Sequence, residues 1–272
     1  MPFALDHIVI AVTDLEAAVA NYGALGFQVL AGGQHPGRTS HNALVVFADG
    51  AYLELISWQA PAPEERWWRT LQGHGEGLVD FALLPQSTVQ ALADARARGL
   101  VTLTGPLDGG RLRPDGAQLR WQTARHATPD VPFLCGDITP RALRVPEGSA
   151  RIHPNGAQGV AQLTVAVHDL DTTLARYRAL LGEQGQTATV ASGEGIRSAQ
   201  LQLGTTRLVL QSAEDEGTVP GTAAHTLRER LASRGEGPCA MVVQCAQAPL
   251  QSMPALSTTH GVALQWQTAG IA

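Results

Sequence analysis

Residues 8–25, IVIAVTDLEAAVANYGAL, return at 163–180 as LTVAVHDLDTTLARYRAL, with eight of eighteen positions identical. Gly75-Glu76-Gly77 returns as Gly235-Glu236-Gly237. GAQLRWQTA at 116–124 returns as GVALQWQTA at 261–269, with six of nine identical. The offsets are 155, 160 and 145, in order along the chain. A chain repeated in this way is expected to build one supersecondary unit several times and to stack the copies. The expected halves are 1–150 and 151–272.

At 272 residues the chain is long enough for two ordinary domains and a full apolar core. The net charge of −5 gives no basic excess, so a nucleic-acid binder is not expected. All 19 basic residues are Arg, which excludes Schiff-base chemistry and a phosphate-loop lysine. Cys135, Cys239 and Cys245 form no CxxC pair and no disulfide framework. The N-terminal apolar run carries Asp6 and Asp14 and no basic residue, so it does not read as a secretory leader. No run is apolar enough for a membrane span. The expectation is a soluble, cytoplasmic protein.

Each half opens with a β-type run, Asp6–Val12 or Val160–Val167. An Asp suited to cap a helix follows, Asp14 or Asp169. Apolar residues at helical spacing come next: Leu15, Val19 and Tyr22, or Leu170, Leu174 and Tyr177. Strands are expected at Phe27–Leu30, Ala43–Ala48 and Tyr52–Trp58, with Asp49-Gly50 as a hairpin turn. A second unit has strands at Leu78–Leu84, Leu100–Thr104, Gln118–Thr123 and Val131–Gly136, with a helix at Ser87–Arg98. A third unit has strands near Ile196–Leu203 and Arg207–Ser212. The fourth starts at Cys239 and is degenerate, with Pro249 and Pro254 where its helix should run. Helical connectors are expected near Glu64–Leu71 and Ala224–Ala232. The unit is β-α-β-β-β, and the fold class is α+β: tandem paired βαβββ modules forming curved, cup-like mixed sheets.

Four segments carry a family resemblance. They are Asp6-His7-Ile8-Val9, Gly33-Gln34-His35-Pro36-Gly37, the run from Thr39 to Leu44 (TSHNAL), and the run from Asp49 to Ile56 (DGAYLELI). With the paired units, they resemble the vicinal oxygen chelate superfamily, which holds glyoxalase I, extradiol dioxygenases, methylmalonyl-CoA epimerase and bleomycin- or fosfomycin-resistance proteins. The chain is most similar to its bacterial glyoxalase-like members. The resemblance implies a cup whose first and last strands supply metal ligands, here His7 and Glu54. It implies a divalent metal (Zn, Ni, Mn or Fe) with open positions for two substrate oxygens. Glu54 would also exchange a proton with substrate carbon. The second unit offers Asp80 at the first-strand position. Its last strand has no Glu, only Cys135 or Asp137. In the second half the matching positions are Gln162 and Val209, so the site is expected in the first half.

The residues also allow plainer readings. His7 shares a strand face with Val9 and Ala11, while Glu54 points away from Leu53 and Leu55. A carboxylate inside an apolar strand needs a partner. That partner is either a metal or a structural hydrogen bond from His7 or from backbone amides. Asp80 reads equally as a paired acid beside a cavity. His35, His41 and Asn42 lie in or next to the Gly-rich segment GGQHPGRTSHN, where they are candidate substrate contacts or solvated turn residues. Trp121, matched to Trp266 in the repeat, is either core or a pocket wall. The expected function is a metal-dependent isomerase, lyase or dioxygenase acting on a small oxygenated metabolite. The alternative is a metal-free binding or sequestration protein of the drug-resistance type. Partners are small molecules, with no nucleic acid and no membrane. A homodimer and a monomer that closes its own cups both stay open.

Overall fold

The computed structural model describes residues 3–112, 116–214, 219–247 and 253–268. The first unit runs β1 (Ala4–Ala11), α1 (Leu15–Ala24), β2 (Leu30–Gln34), β3 (Ser40–Val46) and β4 (Tyr52–Trp58). After α2 (Arg66–His74), the second runs β5 (Gly77–Leu84), α3 (Thr88–Ala97), β6 (Thr104–Leu112), β7 (Gln118–Arg125) and β8 (Phe133–Asp137). These eight strands form one sheet in the order β2-β3-β4-β1-β5-β8-β7-β6. In each unit the first strand pairs parallel with the last, β1 with β4 and β5 with β8. The two units join through antiparallel β1 and β5.

A short helix α4 (Arg141–Arg144) and a 3-10 turn lead to the second sheet. It contains β9 (Ala157–Ala166), α5 (Leu170–Leu181), a short α6 (Glu183–Gln186), β10 (Thr189–Gly193), β11 (Ile196–Leu203) and β12 (Thr206–Ala213). After α7 (Ala223–Arg234) come β13 (Gly237–Cys245) and β14 (Ala263–Thr268). The order is β10-β11-β12-β9-β13-β14. The fold is therefore mixed and curled, built on βαβββ modules. Pro249, where the fourth helix was expected to break, lies outside the described residues. Among the described residues, no helix is long and apolar enough to cross a membrane.

The core lies between the two sheets. Ile8, Ile10, Phe81 and Leu83 from one sheet and Leu163, Val165, Met241 and Val243 from the other belong to one buried cluster, together with side chains of α1, α3 and α5. The repeated residues mark where the halves lock. Tyr22 Oη donates to Thr259 O at 3.2 Å, and Tyr177 Oη donates to Asp130 O at 2.9 Å. Both tyrosines are fully buried. Glu76 accepts from Thr13 N at 2.7 Å and Glu236 from His168 N at 2.8 Å, so each Gly-Glu-Gly pins the end of its half's first strand. Asp14 and Asp169 cap α1 and α5 by accepting from Ala17 N and Thr172 N.

Three local expectations shift. The strands expected at Phe27–Leu30 and Leu100–Thr104 lie further along, at Leu30–Gln34 and Thr104–Leu112. Both real strands are Gly-rich and were masked by low strand propensity. Leu100 and Leu103 are buried plugs behind α3 instead. The Trp pair is also not equivalent. Trp121 is on β7, antiparallel to β8. Trp266 is on β14, which pairs directly and in parallel with β13. Trp266 stacks on Phe27 at 5.5 Å against the shared core.

Tyr177→Phe removes one buried donor and leaves the Asp130 carbonyl unpaired. The expected cost is about 1 kcal/mol, read as a lower urea midpoint with an unchanged slope.

Candidate active site

From His7 onward strand β1 alternates, as period-2 geometry requires. Ile8 and Ile10 face the shared core, while His7, Val9 and Ala11 face the hollow of the first sheet. Between Leu5 and His7 the pairing with β5 slips, so Asp6 has no partner on that strand. This bulge sets the Asp6 carboxylate beside its neighbour's ring. His7 Nδ1 donates to Asp6 Oδ2 at 2.6 Å. That bond fixes the tautomer and turns the Nε2 lone pair toward the hollow.

Asp6 is fully buried. Arg144 donates to both its oxygens, at 2.9 and 3.0 Å, and Arg141 Nη1 lies 2.5 Å from Oδ1. Burial opposes ionisation of Asp6, but Arg144, His7 and Arg141 outweigh it and hold the carboxyl well below its usual range. Arg144 is raised in turn: Asp6 and Tyr52 outweigh its own burial. It also donates to Tyr52 Oη at 2.8 Å, and Tyr52 stacks on His7 at 4.6 Å. One ion cluster thus fixes the imidazole from below and from one face.

Glu54 projects from β4 into the same hollow. His7 Nε2 lies 3.5 Å from Glu54 Oε2, and His35 Nε2 lies 3.6 Å from Glu54 Oε1. His35 follows β2 directly, and its Nδ1 is 3.0 Å from Ser40 Oγ. Asn42 Nδ2 donates to Glu54 Oε1 at 2.6 Å, the one hydrogen bond to this carboxylate among the described residues. Asn42 Oδ1 is buried without a partner. Gly32 makes room for it: a Cβ there would lie 1.9 Å from Asn42 Oδ1. The Gly-rich segment is therefore half strand, and its glycine seats the residue that orients Glu54.

The hollow has a volume of about 830 Å³, within the usual range for small-molecule sites. His7, His35, Asn42, Glu54 and Trp121 all line it. The other two candidates lie elsewhere. His41 alternates with the inward-facing Ser40 and Asn42 and so occupies the opposite face of β3. Asp80 is buried and engaged by Arg66, by Trp67 Nε1 at 2.8 Å and by Arg125 at 3.5 Å. In the second sheet, Gln162 and Val209 occupy the register positions of His7 and Glu54, so the His/Glu pair has no counterpart there.

The donor chemistry fits a divalent metal. Two imidazole nitrogens and a carboxylate form the mixed set that suits Zn or non-haem iron. Their separations of 3.5 and 3.6 Å exceed ordinary hydrogen bonds. Each ring faces a different oxygen of Glu54, His7 at Oε2 and His35 at Oε1, so the carboxylate lies between the two imidazoles. The group whose ligand atoms all lie within 4.8 Å of one another among the described residues is a different one, Asp6, His7 and Cys135. It is less suited, because Asp6 is saturated by two guanidinium groups and burial pushes the Cys135 thiol up, keeping it protonated.

The comparisons agree with this architecture. The family model for the glyoxalase-like domain matches residues 5–181. The chain therefore belongs to the glyoxalase-like domain family, within the vicinal oxygen chelate superfamily. No curated protein matches its sequence. A hypothetical protein from Staphylococcus aureus superposes with a TM-score of 0.69 at 13% identity, covering 98% of this chain and 100% of that one. A mutant of 4-hydroxymandelate synthase from Streptomyces coelicolor superposes with a TM-score of 0.62 at 16% identity, covering 89% of this chain and 71% of that one. A xylose isomerase-like TIM barrel/4-hydroxyphenylpyruvate dioxygenase fusion protein gives 0.55 at 18% identity, covering 90% of this chain but 36% of that one. At these identities the likeness is one of fold.

Asp6→Asn leaves the buried Arg144 and the half-buried Arg141 with less compensation, at an expected cost of about 3 kcal/mol. A depressed carboxyl pKa adds stability that is complete above the unfolded-chain value of about 4. That stability is lost as pH falls through the folded value. Acid titration of the urea midpoint is therefore expected to fall less steeply below about pH 4 in the variant than in the wild type.

Proposed function

We propose that the chain is a divalent-metal-dependent enzyme that rearranges, cleaves or oxygenates a small oxygenated metabolite. The supporting observation is the convergence of His7 Nε2 and His35 Nε2 on the Glu54 carboxylate inside the hollow. In this reading His7, His35 and Glu54 hold the metal. Once bound, the metal supplies Lewis-acid polarisation of substrate oxygens. The chain's own groups do the rest. Asp6 holds His7 in the tautomer with Nε2 free. Ser40 Oγ, 3.0 Å from His35 Nδ1, fixes the orientation of that ring. Asn42 orients Glu54 through Oε1. Glu54 is the carboxylate placed to take up and return a proton at its second oxygen. The aromatic walls exclude water and strengthen these polar contacts.

Metal analysis of the full-length protein, purified without chelators, tests the reading. About one divalent ion per chain is expected. His7→Ala, His35→Ala and Glu54→Gln are each expected to lose most of it with unchanged circular dichroism. A wild type that takes up none of Zn, Ni, Mn or Fe(II) on loading would overturn the metal reading and favour a metal-free binding protein.

A further inference from the structure

The last residue of β7, Arg125, lines the same hollow as Glu54. Its Cζ lies 4.2 Å from the centre of the Phe133 ring and 4.6 Å from that of Trp67. Two rings tilted at 52° to each other therefore form a corner against which the cation rests. Its protein hydrogen bonding is thin. Nη1 reaches Asp80 Oδ2 at 3.5 Å, the limit of such a bond, and no other partner exists among the described residues. Asp80 is already committed to Arg66, to Trp67 Nε1 and, through Oδ1, to the Phe81 amide. One carboxylate thus faces two guanidinium groups, and the nearer is not Arg125.

A guanidinium carries five N–H donors. On Arg125, Nε and Nη2 have no protein acceptor among the described residues, and the half-buried side chain lines the hollow, where these donors are open to an entering group. Burial, together with the charges of Arg66 and Arg38, lowers its pKa despite the help of Asp80. A cation in this state gains from an added anion. Its ion pair with Asp80 is the longer of two on that carboxylate, because Arg66 lies closer to the same oxygen.

We propose that Arg125 anchors the carboxylate of the substrate. This rests on the reading of the hollow as the substrate site. The Phe133 ring that supports the guanidinium also meets the His7 ring edge-on, at 5.2 Å between centroids. A carboxylate on the Arg125 fork therefore stands in the same hollow as His7, His35 and Glu54. The substrate class is a short, partly apolar carboxylic acid with an oxygen function close to its carboxylate. The planar fork matches a carboxylate in two parallel bonds. A phosphate dianion suits the site less, because Asp80 and Glu65 lie against the same wall.

The test uses phenylacetate and its neutral counterpart phenylacetamide, titrated calorimetrically into the full-length protein as purified and after chelator dialysis. Phenylacetate is expected to bind roughly tenfold more tightly than the amide, the size of a charge-assisted hydrogen-bond pair. Arg125→Gln is expected to bring the two to parity, and Arg125→Lys to keep part of the preference. The preference is expected to survive metal removal. Equal binding of acid and amide by the wild type overturns the proposal without recourse to any variant. So does failure of phenylacetate to bind, tighter binding of phenylphosphonate, or an undiminished preference in Arg125→Gln. A preference lost on metal removal but kept in Arg125→Gln assigns the carboxylate to the metal instead. An Arg125-dependent preference in a protein that binds no metal supports this proposal and overturns the metal reading alone.

Discussion

Asp6 is a carboxylate with no contact with water, and such a group persists only where cations and hydrogen bonds replace its hydration. Here the replacement comes from far along the chain. Arg141 and Arg144 follow the last strand of the second unit and fold back across the first strand of the first. Arg144 also binds Asp137 and Tyr52, and Arg141 binds the Gly50 carbonyl. One buried charge therefore ties both units and the helix after them into a single body. The same charge selects the His7 tautomer. Stability and site preorganisation rest on one interaction.

The other constraint is the alternation of β1. One face builds the core shared by the two sheets, and the other builds the hollow. A slip of one residue would exchange Ile8 for His7 and disable both. The second sheet has the core face without the site residues. Its β9 carries Ala161 and Gln162 where β1 carries Asp6 and His7, and β12 carries Val209 where β4 carries Glu54. Without the buried acid there is nothing to orient an imidazole and no carboxylate for it to face. The second sheet's role in this structure is to cover the apolar face of the first, through contacts such as those of Tyr22 and Tyr177.

What the sequence disclosed follows from where the information is local. The repeat, the Asp caps and the alternation around His7 and Glu54 are short-range patterns, and each marks a real element. The strands β2 and β6 were hidden because glycines weaken propensity, and at Gly32 the glycine serves Asn42 rather than a turn. The matched motifs around Trp121 and Trp266 misled because equal sequence fell on unequal strands, one beside β8 and one beside β13. His35 could be named but not placed, since its approach to Glu54 depends on the β2–β3 hairpin folding over β4. Arg125 gave no signal. Its setting joins β7, β8 and α2, three segments that share nothing in sequence.

The central claim is that His7, His35 and Glu54 form one metal centre in the first hollow. Anomalous diffraction from crystals of the metal-loaded protein addresses it directly. The expected result is a single strong peak bounded by His7 Nε2, His35 Nε2 and the Glu54 carboxylate, with Asp6 still bound to His7 Nδ1. A peak between Asp6 and Cys135, or none in the hollow of a fully loaded crystal, would contradict the account.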